Sequence, residues 1–235
     1  MALPPIAITR EIHQVGGYGL TSPEDAAIYL IDFAGHAALI DTGGGRGQKS
    51  LLHHIARVGV RLESIECLLL THCHFDHTGG AHELRDRLGC PVIAHELDAD
   101  FLEQADQEAT AASQYGIKLR PCVVDRRLRG AQETVLLGGR IITALHIPGH
   151  SPGSVAYITE SEGQTVLFGQ DVHGPLDVRL HSNWSDYRAS LAKLLALDAD
   201  ILCEGHYGVF RGKPAVAEFI QSFLDPATEP NPVTG

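Results

Sequence analysis

The chain reads as an α/β protein organised as one domain over residues 1–235, and three observations predict this. Short apolar runs that end at glycine turns alternate with stretches of helical period. A strands-then-helix order occurs in both halves. The 235 residues, 44% of them hydrophobic, suffice for one large core or two packed layers, and no Pro-, Ser- or charge-rich stretch divides them.

In the opening third, Ile6 to Ile12, Ala26 to Phe33 and His36 to Asp41 read as strands, with Gly16-Gly17 and Ala34-Gly35 as turns. Lys49 to Val58 puts Leu51, Leu52, Ile55 and Val58 on one helical face. After the apolar run Cys67 to Leu70, Gly80 to Leu88 reads as a short helix and Pro91 to Ala94 as a buried strand. Glu96 to Tyr115 predicts a long polar helix anchored at Leu97, Phe101, Leu102 and Ala105, lying over one side of the active-site mouth. Further strands are expected near Thr134 to Leu137, Arg140 to Leu145, Ser154 to Thr159 and Thr165 to Phe168. Tyr187 to Leu197 is amphipathic, Asp200 to Cys203 reads as a strand, and a last helix runs from Pro214, suited to a first turn, to Leu224. The tail Asp225 to Gly235, rich in Pro and Thr, is expected to fray.

Chemistry concentrates in Thr71-His72-Cys73-His74-Phe75-Asp76-His77-Thr78-Gly79-Gly80, directly after an apolar run. Alternation along extended chain places His72 and His74 on one side, while Asp76 and His77 follow the start of a turn and face another way. One loop can therefore serve two ions. A dinuclear site needs more donors than one loop supplies, and three follow at the ends of later apolar runs: His150 in Pro148-Gly149-His150, Asp171 after Val166 to Gln170, and His206 after Ile201 to Gly205.

On these residues, together with Leu39-Ile40-Asp41-Thr42-Gly43, the chain resembles the metallo-β-lactamase-fold superfamily from about Ala27 to Leu224, in the group of glyoxalase II-like enzymes. The resemblance implies a four-layer αβ/βα sandwich of two mixed sheets flanked by helices. It also implies two divalent metal ions, zinc first, with iron or manganese accepting the same donors. His72, His74 and His150 would bind one ion, Asp76, His77 and His206 the other, and Asp171 both. Asp41 would orient the His loop from beneath rather than ligate, a role compatible with capping the Thr42-Gly43-Gly44-Gly45 turn.

The implied activity is a dinuclear metallohydrolase: a metal-bridging hydroxide cleaves a thioester, lactone or carboxylic ester of a small molecule, with Asp76 orienting it or shuttling its proton. Val172-His173-Gly174-Pro175 stands where glyoxalase II enzymes carry a Lys-Phe-Tyr-type stretch, which argues against glutathione recognition. True lactamases of the superfamily lack a carboxylate at the station of Asp171. A mononuclear iron persulfide dioxygenase fits the same string, and a binding module that has lost catalysis is the non-enzymatic alternative. His173, His181, Asn183 and Trp184, in the irregular segment after Asp171, are candidates to line the substrate pocket, and Tyr187 and Tyr207 are candidate pocket tyrosines.

The formal charge of -11 disfavours nucleic acid, because the cationic residues form only one small cluster, Arg126-Arg127-Leu128-Arg129, which reads as a solvated turn. Five cysteines without close spacing read as reduced thiols, with Cys73 packing into the protein. No apolar run approaches membrane-spanning length, and Met1 to Thr9 lacks a signal-peptide pattern. The expectation is a cytoplasmic enzyme with no nucleic-acid or membrane partner, a homo-oligomer being left open. His95 and His146 read as structural, and His53 and His54 carry no assigned role.

Overall fold

The computed structural model describes residues 3–224, so the tail expected to fray from Asp225 lies outside the described residues. β1 (Ile6–Ala7), β2 (Ile12–Gly16), β3 (Ile28–Phe33), β4 (His36–Ile40), β5 (Ile65–Leu69), β6 (Val92–His95) and β7 (Arg126–Leu128) lie side by side in chain order. A second sheet takes β8 (Gln132–Leu137), β9 (Arg140–His146), β10 (Val155–Ser161), β11 (Gln164–Gln170), β12 (Ile201–Glu204) and β13 (Val209–Arg211), also in chain order. Parallel pairs occur where a helix makes the crossover. They follow α1 (Gln48–Val58), the pair α2 (Phe75–Thr78) and α3 (Ala81–Leu88), α4 (Glu96–Gln104) and α5 (Trp184–Ala196). The closing helix is α6 (Lys213–Ser222).

Strand residues alternate between two buried surroundings, which makes the layers. Tyr29, Ile31, Ile40 and Leu69 meet Tyr157, Phe168 and Cys203 of the other sheet, while Ile28, Leu30, Leu39 and Leu68 pack on Leu51, Ile55 and Leu84 of the helices. In the second sheet Ala156, Leu167 and Leu202 face Leu191, Leu194, Val216 and Ile220. Strands covered on both faces read as nearly continuous apolar runs, and Cys67 to Leu70 is such a run. The result is helices, sheet, sheet, helices: two mixed sheets in the four-layer order expected.

The two sheets are bolted together along one edge. Ala27 N–H donates to Gly205 O (2.7 Å), Val155 N–H to Thr71 O (2.7 Å) and the Tyr29 hydroxyl to Glu204 O (2.6 Å). Loops leaving β5, β11 and β12 emerge at this edge with little freedom to part.

Several element boundaries differ from the expectation, each for a local reason. Ile6 to Ile12 is two strands, because Ile8 and Thr9 N–H both donate to Ile12 O and the Thr9 hydroxyl accepts from Glu11 N–H. Gly16 belongs to β2, and the turn starts at Gly17. Glu96 to Tyr115 is not one helix. Ala105 takes a φ of 49° and Asp106 Oδ1 accepts the N–H groups of Glu108 (2.9 Å) and Ala109 (3.0 Å), offering the backbone an alternative to the helical ladder. A separate 3-10 turn, Ala112–Tyr115, follows.

The buried face of α4 is Asp98, Ala99 and Leu102, and Leu97 is 48% exposed instead of anchoring it. α5 starts at Trp184 rather than Tyr187, since the Asn183 side chain caps Asp186 N–H at 3.0 Å. The arginine cluster is not simply a solvated turn: Arg126 to Leu128 form β7, with Arg127 reaching Asp100 (2.8 Å) and Glu103 (2.6 Å), while the exposed Arg129 follows the strand and reaches Glu96 (3.2 Å). All five cysteines are buried and unpaired, and among the described residues no helix is long and apolar enough to cross a membrane.

Candidate metal centre

The loops that leave β4, β5, β9, β11 and β12 deliver the site. Leaving β5, the chain stays extended through His74 (φ −64°, ψ 145°) and then turns into α2, so Asp76 and His77 project from a helical turn. The side chains separate as alternation predicts. His72, His74 and His150 gather with Asp171, and Asp76 and His77 gather with His206. All but His206 are buried.

Asp171 joins the groups. Its Oδ2 lies 3.3 Å from His150 Nε2, 3.4 Å from His206 Nε2 and 3.9 Å from His72 Nε2, and its Oδ1 lies 3.1 Å from His77 Nε2. His72 Nε2 and His74 Nδ1 are 3.0 Å apart, and His206 Nε2 is 3.2 Å from Asp76 Oδ2. Gln170, in the left-handed region at φ 51°, turns the chain so that Asp171 faces inward. Gly205 must be glycine, because a Cβ there would stand 2.3 Å from Asp171 Oδ1.

Several of these atoms are buried with no hydrogen-bond partner: His74 Nε2, His77 Nε2, His150 Nε2 and Asp171 Oδ1. Leaving a buried polar atom unpaired costs about 1–3 kcal/mol, so a cluster of them marks a place for a ligand. Imidazole and carboxylate donors that approach one another without hydrogen-bond alignment fit divalent cations.

The rings are held from behind. Asp41, at φ 61° after β4, takes Thr71 N–H on Oδ1 (2.8 Å), while its Oδ2 accepts the Thr71 hydroxyl (2.7 Å) and His77 Nδ1–H (2.7 Å). His150 Nδ1–H donates to Pro175 O (2.9 Å), leaving Nε2 its lone pair. A second buried carboxylate, Asp98, accepts Cys73 N–H (2.8 Å) and the Ser151 hydroxyl (2.6 Å) on Oδ2 and Gly153 N–H (2.7 Å) on Oδ1. It ties the His72–His77 loop to the His150 loop.

Electrostatics divide the rings. Burial pushes His72 well down, with its His77, His74 and His150 neighbours adding to it, and burial takes His74 down to about 3, so both are neutral donors. Against the opposing effect of burial, Asp171, Asp76 and Asp41 hold His77 well above the ordinary histidine range, and Asp171 leads in raising His206 to about 10. Burial likewise opposes ionisation of Asp76 and Asp171, yet His77 and His206 hold both below the usual carboxylate range. The second group thus calls for positive charge, which a cation supplies in place of protons.

Of the other candidates only His173 joins the cluster, its ring nitrogen lying within 4.8 Å of donor atoms of Asp171 and His206. His173 donates Nδ1–H to buried Glu204 (2.8 Å) and its ring faces His206 at 5.1 Å, beside the cluster. With Trp184 and Tyr187 it lines a separate cavity of about 200 Å³ that includes none of the seven donors. The Tyr187 hydroxyl is spent on Val172 O. His181 is not at the site: it stacks on Phe101 at 5.1 Å. Tyr207 is 62% exposed and borders a groove at His206. Cys73 points away and donates to Ala109 O, and His95 stacks on His146 at 3.9 Å.

The mouth itself is a cleft of about 700 Å³ over Asp76 and His206, walled by Tyr18, Pro23, Glu24, Arg46 and Tyr115. Sequence reasoning missed Tyr115 and Arg46 there, and Asp98 beneath. For Asp98 a signal existed, since Asp98 and Leu102 share one helical face that must be buried.

A family model described as the metallo-beta-lactamase superfamily matches residues 21–206. The probable metallo-hydrolase MJ0888 of Methanocaldococcus jannaschii is 31% identical over 159 residues, covering 66% of this chain and 72% of the relative. Hydroxyacylglutathione hydrolase GloC of Haemophilus influenzae is 29% identical, over 74% of this chain and 81% of its own. The human acyl-coenzyme A thioesterase MBLAC2 is 30% identical, over 79% and 74%. Among solved structures, the subclass B3 metallo-beta-lactamase BJP-1 of Bradyrhizobium japonicum superposes with a TM-score of 0.76 at 25% identity, over 94% of this chain and 90% of that one. With the seven donors converged and the four layers in place, the chain belongs to the metallo-β-lactamase superfamily.

Proposed function

We propose that this chain is a dinuclear metallohydrolase that cleaves an ester-type bond of a small molecule, a thioester before a lactone or carboxylic ester. The observation that carries the reading is Asp171 standing between two groups of candidate donors, two of which, Asp76 and His206, line a cleft wide enough for a substrate. His72, His74 and His150 would hold one cation, Asp76, His77 and His206 the other, and Asp171 both, with zinc first and iron or manganese next. Bound there, two cations would lower the pKa of a water and polarise the substrate carbonyl.

The chain's own residues do the rest. Asp41 fixes the His77 ring and Asp98 ties the His72–His77 loop to the His150 loop, so little reorganisation accompanies reaction. Asp76, kept anionic beside His206, is placed to orient the attacking water and take up its proton. Tyr115 reaches the same cleft with its hydroxyl kept protonated, chiefly by burial, so it donates to a substrate oxygen. Among the described residues that line the cleft there is no Ser or Cys nucleophile, in keeping with direct attack by water. The similarity to GloC, a hydroxyacylglutathione hydrolase, and MBLAC2, an acyl-coenzyme A thioesterase, favours a thioester.

The test is a panel of thioesters, lactones and phosphodiesters given to metal-loaded protein, before and after chelation. Thioester turnover that chelation abolishes and added zinc restores is expected. Oxygen uptake with a single iron and no hydrolysis would instead establish the dioxygenase chemistry and overturn this reading.

A further inference from the structure

His206 is the least buried of the seven donors, its side chain 34% exposed, and its ring lacks the support that others have. The His72, His77 and His150 rings are held from behind by the Thr71 hydroxyl, the Asp41 carboxylate and the Pro175 carbonyl. Among the described residues no side chain or carbonyl is hydrogen-bonded to His206 Nδ1 in this way. The direction of the ring is therefore set by the backbone of the Gly205–Tyr207 turn, and a carboxylate holds that backbone. Glu204, fully buried at the end of β12, accepts His206 N–H (2.6 Å) and Tyr207 N–H (2.8 Å) on Oε2. Its Oε1 accepts Nδ1–H of His173 (2.8 Å), two residues beyond Asp171.

One carboxylate thus spans the loops that leave β11 and β12, and each loop carries a donor. The strand itself is held without it: Glu204 N–H donates to Gly208 O (3.0 Å), Gly205 N–H to Gln170 O (3.3 Å) and the Tyr29 hydroxyl to Glu204 O (2.6 Å). Burying a carboxylate is costly, and apolar side chains of similar volume are often neutral or stabilising in place of buried charged groups. We infer that Glu204 is a positioning residue for the His206 half of the centre. It fixes the His206 backbone, and through His173 it keeps the His206 loop in register with the Asp171 loop. This rests on the two-cation reading of the same centre.

The experiment titrates metal-stripped protein with zinc, using chelator competition to separate the two equivalents. Glu204→Met fills the same space without an oxygen, and Glu204→Gln keeps one. In Glu204→Met the equivalent that uses His206 should weaken about 10- to 100-fold, while the other stays as in wild type. Glu204→Gln should recover most of that loss, because its amide oxygen still accepts both N–H groups while its NH₂ meets the other tautomer of His173. In a His206→Ala background, Glu204→Met should cost nothing further. Wild-type affinity at both equivalents in folded Glu204→Met overturns the inference. So does an equal loss at both, a loss that persists without His206, or a Glu204→Met chain that fails to fold, since each assigns the side chain to the fold instead of the centre. A wild type that binds fewer than two equivalents is a different result: it removes the two-cation reading and the inference with it.

Discussion

Replacing Asp171 by alanine is expected to lower hydrolytic turnover by at least about 10²–10³-fold, the scale of deleting one preorganised electrostatic contact. Its two oxygens lie within 4 Å of nitrogens from both groups, at 3.1 Å for His77, 3.3 Å for His150, 3.4 Å for His206 and 3.9 Å for His72. No other side chain among the described residues bridges them in this way. Its removal should leave the fold standing, because the sheets are joined at this edge by Ala27–Gly205, Val155–Thr71 and Tyr29–Glu204 bonds that do not involve it. Circular dichroism and turnover measured together check this. Asp171→Asn, which keeps the shape and loses the charge, should fall nearly as far. An Asp171→Ala protein that is folded and fully active would remove the proposed chemistry.

Asp98→Ala is expected to weaken metal binding about 10- to 100-fold, the usual effect of losing a group that orients ligands from behind. The carboxylate is fully buried and holds Cys73 N–H, the Ser151 hydroxyl and Gly153 N–H, so it sets how the His72–His74 strand meets the His150 loop. The loss should fall on one of two metal equivalents, that of His72, His74 and His150. Asp41→Asn should act on the other, since Asp41 holds the His77 ring. Competition with a chelator resolves the two steps. A folded Asp98→Ala protein that binds both equivalents as tightly as wild type would show that the loops keep their register without it.

The convergence of the seven candidate ligands was legible because five of them follow short apolar runs, and a run covered on both faces marks a strand whose end carries the loop. His72, His74, His150, Asp171 and His206 all obey this, and the split between His74 and Asp76 follows from where the chain turns. Asp98 was not legible in the same way. Its partners lie 25, 53 and 55 residues distant, and the polar composition of Glu96 to Tyr115 hid which face is buried. The break in that segment depends on Asp106 competing for N–H groups. That break carries Tyr115 to the mouth. Tyr187, a more conspicuous candidate, packs inside and bonds Val172 O. The arginine cluster misled because cations on and just after an edge strand, each with an acidic partner, look in sequence like a solvated turn.

Calorimetric titration of metal-stripped protein with zinc tests the central claim most directly. The account predicts two equivalents per chain, with Asp171→Ala impairing both and His206→Ala only one. A single equivalent in wild type, indifferent to replacement of Asp76, His77 or His206, would contradict it.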